Sequence, residues 1–381
     1  MSDERLLAVL DRFRGLNWTI LVLVLVVCGI GVLFITSASY RYVDQGDWTY
    51  SDKPLKQLTW LALGLGVFFA ILMVRYRYFM RLSYLLYIAV FAALVVLLLF
   101  GSEINHSRRW FLLGPLRVQP SEFMKIGLIL CLARYLMYRE NYRRLRGLVG
   151  PFFLTLAPMV LIINQPDLGT ALVFLPVLFA LLYVAGARLK HLFAVMGMGL
   201  ASFPLLYFTV LEDYQRERLI AFLNPDAHLS GRGFQILNAL YAIGSGGPFG
   251  KGWRQGLQNL LGFIPYDDND FIFAVLAEEW GLVGGLLLLV LYFLIIMLGL
   301  GIARRTREPY GRLVAVGIVV LFTVQVFVNI GMTVHLMPVT GLTLPFVSYG
   351  GSSLITCFIA LGLLLNIGKN REPVLADEDF K

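Results

Sequence analysis

Charge is scarce in this chain: Asp, Glu, Lys and Arg make up 15% of its 381 residues, while 58% are hydrophobic and the mean hydropathy is +0.75. Soluble globular domains carry about 25% charged residues, so this balance excludes one and puts most of the chain in lipid. Cysteine is nearly absent. Cys28, Cys131 and Cys357 lie in separate apolar runs, which argues against a disulfide framework or a zinc site and for buried thiols. A cleavable signal peptide is not expected, because the first apolar run follows the polar-rich residues 1–16 and is long enough to span. A P-loop is missing too: the glycine-dense stretch 244–253 lacks the GxxxxGK[ST] spacing and a preceding strand. The formal charge of +8 falls mostly in short loops between apolar runs. Orientation in a bilayer explains it better than nucleic acid, and no nucleic-acid partner is expected.

What is present is a series of apolar runs, at 18–37, 57–74, 82–100, 123–137, 148–163, 168–187, 192–210, 271–303, 313–334 and 346–367. A bilayer core takes about twenty helical residues. The fold class expected is therefore an all-α integral membrane protein of about ten transmembrane helices, with a large extracytoplasmic loop, 211–270, between helices 7 and 8. The whole chain, 1–381, reads as one polytopic domain with cytoplasmic tails 1–16 and 369–381. Run 271–303 is too long for one perpendicular helix and is expected to tilt or to begin outside the hydrocarbon. Basic clusters at 75–81, 139–146, 188–190 and 304–312 alternate with the loops 38–56, 101–122, 164–167, 211–270 and 335–345. That alternation places both termini in the cytoplasm and the second set of loops outside.

The unusual polar residues gather in those outer loops. Arg109 and Trp110 precede a helix whose first turns hold Glu122 and Lys125, three apart on one face and able to pair. Ionisable groups in a span face the bundle interior or a water-filled cavity, so both point inward; the plainer role for Glu122 is a carboxylate at a helix N-terminus. Asp167, after Pro166, suits an N-cap. At the start of the long loop, Gln215, Arg216 and Arg218 either anchor an in-plane helix or grip a phosphorylated lipid through bidentate hydrogen bonds. The glycines of 244–253 let backbone N–H groups converge on an anion beside Lys251, or they form a hinge.

Asp270 is the sharpest residue. It stands where the long loop meets an apolar run, and a partly desolvated carboxylate there suits a general base. The competing role is an N-cap. On helical spacing Glu278 lies two turns deeper, about 80° round from Asp270, and Glu279 on the opposite side. Asp267, Asp268 and Asp270 are either an oxygen-rich set for a divalent cation, Mg²⁺ or Mn²⁺, or three solvated aspartates. Near the C-terminus Pro338, Pro345, Gly350 and Gly351 break helix at membrane depth. Such a break is tolerated only where protein or a water cavity covers it, so this segment is expected to line or plug the central cavity.

The motifs QPSEFMK, NQPDLGTAL, GSGGPFGKGW, DFIFAVLAEEWG and TGLTLPFVSYGGSS, in that order, resemble the shape, elongation, division and sporulation family over nearly the whole chain. Within it the chain is more similar to the elongation polymerases than to the division proteins. The resemblance implies ten transmembrane helices in the bacterial cytoplasmic (inner) membrane. It also implies a peptidoglycan glycosyltransferase that joins lipid II into glycan strands on the outer side and releases undecaprenyl pyrophosphate. A class B penicillin-binding protein would supply the transpeptidase, alongside lipid II, membrane lipids and elongation-complex proteins as partners; no organic cofactor is implied. The family's essential aspartate falls on Asp270, and its substrate-binding positions on Arg109, Trp110, Glu122, Lys125, Gln215 and Arg218, with Lys251 added from the glycine-rich stretch. The chain departs from the family where PERHTD is usual: it reads Pro265, Tyr266, Asp267, Asp268, Asn269, Asp270, and Leu237–Asn238 replaces the usual QS. Two other functions compete. A lipid II flippase predicts ionisable residues through the full depth of the bundle, whereas here they gather at one end. A scaffold for a penicillin-binding protein needs an exposed apolar helical face but no acidic knot.

Overall fold

Lipid offers no hydrogen bonds to a bare backbone, so an apolar run long enough to cross it closes its own as helix. The computed structural model describes residues 15–43, 47–101, 109–113, 116–138, 145–209, 211–225, 232–264 and 268–369. Asp267, the basic residues of 139–144 and most of both tails (1–14 and 370–381) lie outside these. The helices are α1 (Trp18–Ala38), α2 (Lys53–Met73), α3 (Tyr76–Phe100), α4 (Pro120–Leu136), α5 (Val149–Ile163), α6 (Leu168–Ala185) and α7 (Leu189–Thr209). After them come α8 (Asp213–Leu223), α9 (Arg232–Gly246), α10 (Leu257–Leu260), α11 (Ile272–Arg305), α12 (Pro309–Thr333) and α13 (Gly351–Lys369). Among the described residues eight helices are long and apolar enough to cross a membrane: α1, α2, α3, α5 with the turn before it, α6, α11, α12 and α13. Helix α4, with 17 residues, and helix α7, whose apolar stretch is the shorter Leu189–Ser202, stand outside those eight. The chain is a multi-pass helical membrane protein.

Helix α4 explains how a short span carries ions. Its 17 residues are nearly all buried, because α3, α5, α6, α12 and α13 pack around it. Glu122 and Lys125 thus sit in protein, where each can be answered, and not in hydrocarbon. On the outside of the bundle, Leu85, Ile88 and Leu99 of α3 and Leu282, Val283 and Leu286 of α11 stand exposed, as a lipid-facing surface requires.

One end of the bundle gathers the connections after α1, α3, α5, α7 and α12. Two of them contain antiparallel hairpins, β1 (Tyr40–Val43) with β2 (Asp47–Tyr50) and β3 (Phe111–Leu113) with β4 (Leu116–Val118). The described residues of the long connection are largely helical, as α8, α9 and α10, and α9 packs against α11.

The over-long run neither simply tilts nor simply starts outside the hydrocarbon; it is broken. Gly281 takes φ 65°, ψ −162° inside α11, a conformation essentially confined to glycine. A Cβ there would stand 2.3 Å from the Gly250 nitrogen. The glycine-rich turn splints the break. Lys251 and Gly252 donate N–H to the Glu278 and Glu279 carbonyls (3.1 and 3.0 Å), and Leu282 and Val283 donate to the Gly247 and Pro248 carbonyls (2.9 and 3.1 Å). Four backbone groups freed by the break, the carbonyls of Glu278 and Glu279 and the N–H groups of Leu282 and Val283, thereby find partners, as burial demands. The stretch from Ile272 to Glu279 is buried throughout, so this first piece of α11 belongs to the protein interior and only the second faces lipid.

Candidate active site

Asp270 sits in the turn that leads into α11, and it is not that helix's cap. The N-cap position is Phe271, with no side-chain cap hydrogen bond. The capping role open to Asp270 in the sequence is therefore unused, and its carboxylate is left for something else. The side chain is half-buried. Burial pushes its pKa up from 3.8 to about 6, against the pull of Arg218 and Arg109 and with a further push from Asp167 and Asp268. Near neutral pH it is a carboxylate basic enough to accept a proton, which is the condition for general-base work.

The neighbours arrive from four separate segments of the chain. Arg218, on α8, donates from Nη1 to the Thr340 carbonyl at 2.9 Å. Arg109, just before β3, donates from Nε to the Gln165 carbonyl at 3.0 Å and from Nη2 to the Pro166 carbonyl. It thus satisfies carbonyls that the end of α5 exposes. Asp167 caps α6 through Thr170 N–H at 3.3 Å, as its position predicted. It also accepts from Gln119 Nε2 at 3.0 Å and Ser121 Oγ at 3.3 Å. Gly341, with φ +78°, lies against the Asp270 carboxylate: a Cβ there would come within 3.4 Å of Oδ2. The helix-broken segment before α13 therefore lines the site, held by Gln57 Nε2 to the Ser348 carbonyl (3.2 Å), Ser348 Oγ to the Asn269 carbonyl (2.6 Å) and Tyr349 N–H to the Asp268 carbonyl (2.9 Å).

Other predicted residues are placed elsewhere or are already engaged. Glu122 and Lys125 pair at 2.7 Å, both buried, beside the Ser121 that reaches Asp167. Trp110 is half-buried next to Arg109. Gln215 is buried as the N3 residue of a capping box on α8, its Oε1 accepting from Glu212 N–H at 3.3 Å. Arg216 closes the end of α7, donating to the Tyr207 and Phe208 carbonyls at 3.0 and 3.2 Å. Lys251 pairs with the fully buried Glu278 at 2.7 Å. Glu278 also accepts from the N–H groups of Gln258 and Asn259. Its expected place beside Asp270 assumed a helix running through both; residues 268–271 form a turn, so that angle does not extrapolate. Glu279 faces another helix, accepting from Ser37 of α1.

Of the three aspartates offered for a divalent cation, Asp267 lies outside the described residues. Asp268 is buried and paired with Lys53 at 2.7 Å, and no group of three His, Cys, Asp or Glu side chains converges among the described residues. The reach of Asp167, Thr340 and Asn329 into the site was missed from sequence, because it depends on contacts between distant segments. The one local hint was Asp167, whose capping pattern hid its second role.

A bundle of apolar helices with a carboxylate and two arginines gathered at one end defines a polytopic membrane protein with a candidate active site. The chain belongs to the FtsW/RodA/SpoVE family of cell cycle proteins, which it matches over residues 17–373. It is 33% identical to peptidoglycan glycosyltransferase RodA of Treponema pallidum, over 93% of this chain and 99% of that protein. It is 38% identical to peptidoglycan glycosyltransferase MrdB of Escherichia coli, over 90% of this chain and 93% of that one. It also superposes on a chain of a solved peptidoglycan synthase complex, described as coordinating polymerisation and crosslinking, with a TM-score of 0.81, 34% identity and coverage of 93% and 98%.

Proposed function

We infer that the chain is a peptidoglycan glycosyltransferase that polymerises lipid II during cell-wall elongation, with Asp270 as general base. The observation that carries the reading is the uncapped Asp270 carboxylate, raised toward neutrality beside two arginines that are themselves fixed by backbone carbonyls. Asp270 takes the proton from the acceptor's GlcNAc 4-hydroxyl as that oxygen attacks the donor's anomeric carbon. The bond to undecaprenyl pyrophosphate breaks with inversion, and the leaving group needs little acid help. Arg109 and Arg218 offset the charge that develops on it, Trp110 borders the substrate, and the Glu122–Lys125 pair and Gln215 support the site from behind, while Lys251 is engaged by the buried Glu278.

The chain is proposed to act as one polytopic domain in the bacterial inner membrane, with both termini cytoplasmic. Arg75, Arg77, Arg81, Arg188, Lys190, Arg304, Arg305, Arg307 and Arg312 lie at the end of the bundle opposite Asp270, a distribution that supports a site on the outer side. A class B penicillin-binding protein is the proposed crosslinking partner, supported by the solved complex to which the chain is similar. Participation of Mg²⁺ or Mn²⁺ is a separate proposal that polymerisation in EDTA tests, and no step here is routed through a metal. Purified chain with lipid II and a class B partner free of glycosyltransferase activity should make glycan strands, and Asp270→Ala should make none while staying folded. Full activity of the Ala variant would overturn the assignment.

A further inference from the structure

Asp270 is presented by a turn, and turns are easily displaced. Something must fix its backbone. Asn329, on α12, is completely buried, and its single Nδ2 donates to two carbonyls, that of Asp270 at 3.0 Å and that of Leu342 at 2.7 Å. Both hydrogens of the amide are therefore used, and its Oδ1 has no hydrogen-bond partner among the described residues. The orientation follows from chemistry: the flipped amide would set an oxygen against two carbonyl oxygens.

Leu342 belongs to a short strap that touches the site three times in succession. The Thr340 carbonyl accepts from Arg218, Gly341 lies against the Asp270 carboxylate, and the Leu342 carbonyl accepts from Asn329. The left-handed φ of +78° at Gly341 turns the strap so that the carbonyls on either side of it reach Arg218 and Asn329. Asn329 thus ties the backbone of the base to the strap that also fixes its arginine.

We propose that Asn329 is a positioning residue for the glycosyl transfer, holding Asp270 and the 340–342 strap in register so that base and arginine meet the substrate together. It does not touch substrate. This rests on the reading of Asp270 as general base.

The test is steady-state polymerisation of lipid II by the purified complex with the class B partner, comparing wild type, Asp270→Asn, Asn329→Leu and Gly341→Ala, with thermal melting recorded for each. Asn329→Leu is expected to lower kcat about ten- to hundredfold, the scale of a catalytic group displaced by about 1 Å. KM for lipid II should stay within about twofold, since ground-state binding is not what is lost. Gly341→Ala attacks the strap from its other side and should give the same split; it decides the matter if the Leu variant does not fold. A folded Asn329 variant with wild-type kcat, or one that changes only KM, overturns the proposal. If Asp270→Asn itself polymerises normally, the general-base reading fails instead, so the two failures are distinguishable.

Discussion

Two carboxylates near the same end of the bundle have opposite fates. Both oxygens of Glu278 are answered inside the protein, by Lys251 at 2.7 Å and by the N–H groups of Gln258 and Asn259. Asp270, eight positions earlier in the chain, caps no helix, and the guanidinium groups beside it bond the carbonyls of Thr340, Gln165 and Pro166. The first carboxylate is bonded as structure. The second is held at a raised pKa by a frame that does not neutralise it. Both lie in one motif, and only the bonding around them separates the scaffold acid from the reactive one.

That contrast is best broken by exchanging each residue and asking which property falls. Asp270→Asn should cut polymerisation by about 10²–10⁴-fold, the usual worth of a general base, with the amount of folded protein unchanged. Lys251→Met should do the reverse. Leaving a buried carboxylate without its cation costs about 3 kcal/mol of stability, read as a fall in melting temperature, while turnover per folded molecule stays near wild type. If Lys251→Met abolishes turnover without destabilising, the two regions are not distinct.

Smaller effects sharpen the same comparison. Burial raises the pKa of Asp270 from 3.8 to about 6, so the folded state binds its proton more tightly than the unfolded chain does. Stability from this group is present below about pH 4 and lost as pH rises through about 6. Asp270→Asn should therefore melt higher than wild type at pH 8, by an amount corresponding to about 1–3 kcal/mol, and the gain should vanish near pH 4. An equal gain at both pH values would contradict the raised pKa. Asp167→Ala should cost about 1 kcal/mol as a lost N-cap. Because Asp167 pushes the pKa of Asp270 up, its removal should also shift the acid limb of the activity profile slightly downward.

The membrane passes were legible because bilayer thickness imposes a length that apolar runs must meet, and the pairing of Glu122 with Lys125 because helical spacing alone brings them together. The break at Gly281 was not legible. Glycine within a helix pattern is commonly tolerated, and only the approach of the Gly247–Gly252 turn makes an extended conformation there necessary. Helix α9 hid behind the glycines that end it. Gln215 follows Glu212 at the spacing of a capping box, a local signal outweighed by its place in a basic stretch. Asp270 itself was legible from its position between a polar loop and an apolar run. Its frame was not, since Arg109, Asp167, Arg218, Asn329 and Gly341 come from segments that only the folded bundle brings together.

The most direct test of the account is the pH dependence of glycan polymerisation by the purified complex under saturating lipid II. With Asp270 as the base, the rate should fall tenfold per unit as pH drops below about 6 and level off above it. A rate unchanged from about pH 5 to pH 8 would mean that no group titrating like Asp270 limits the reaction, and the assignment would be wrong.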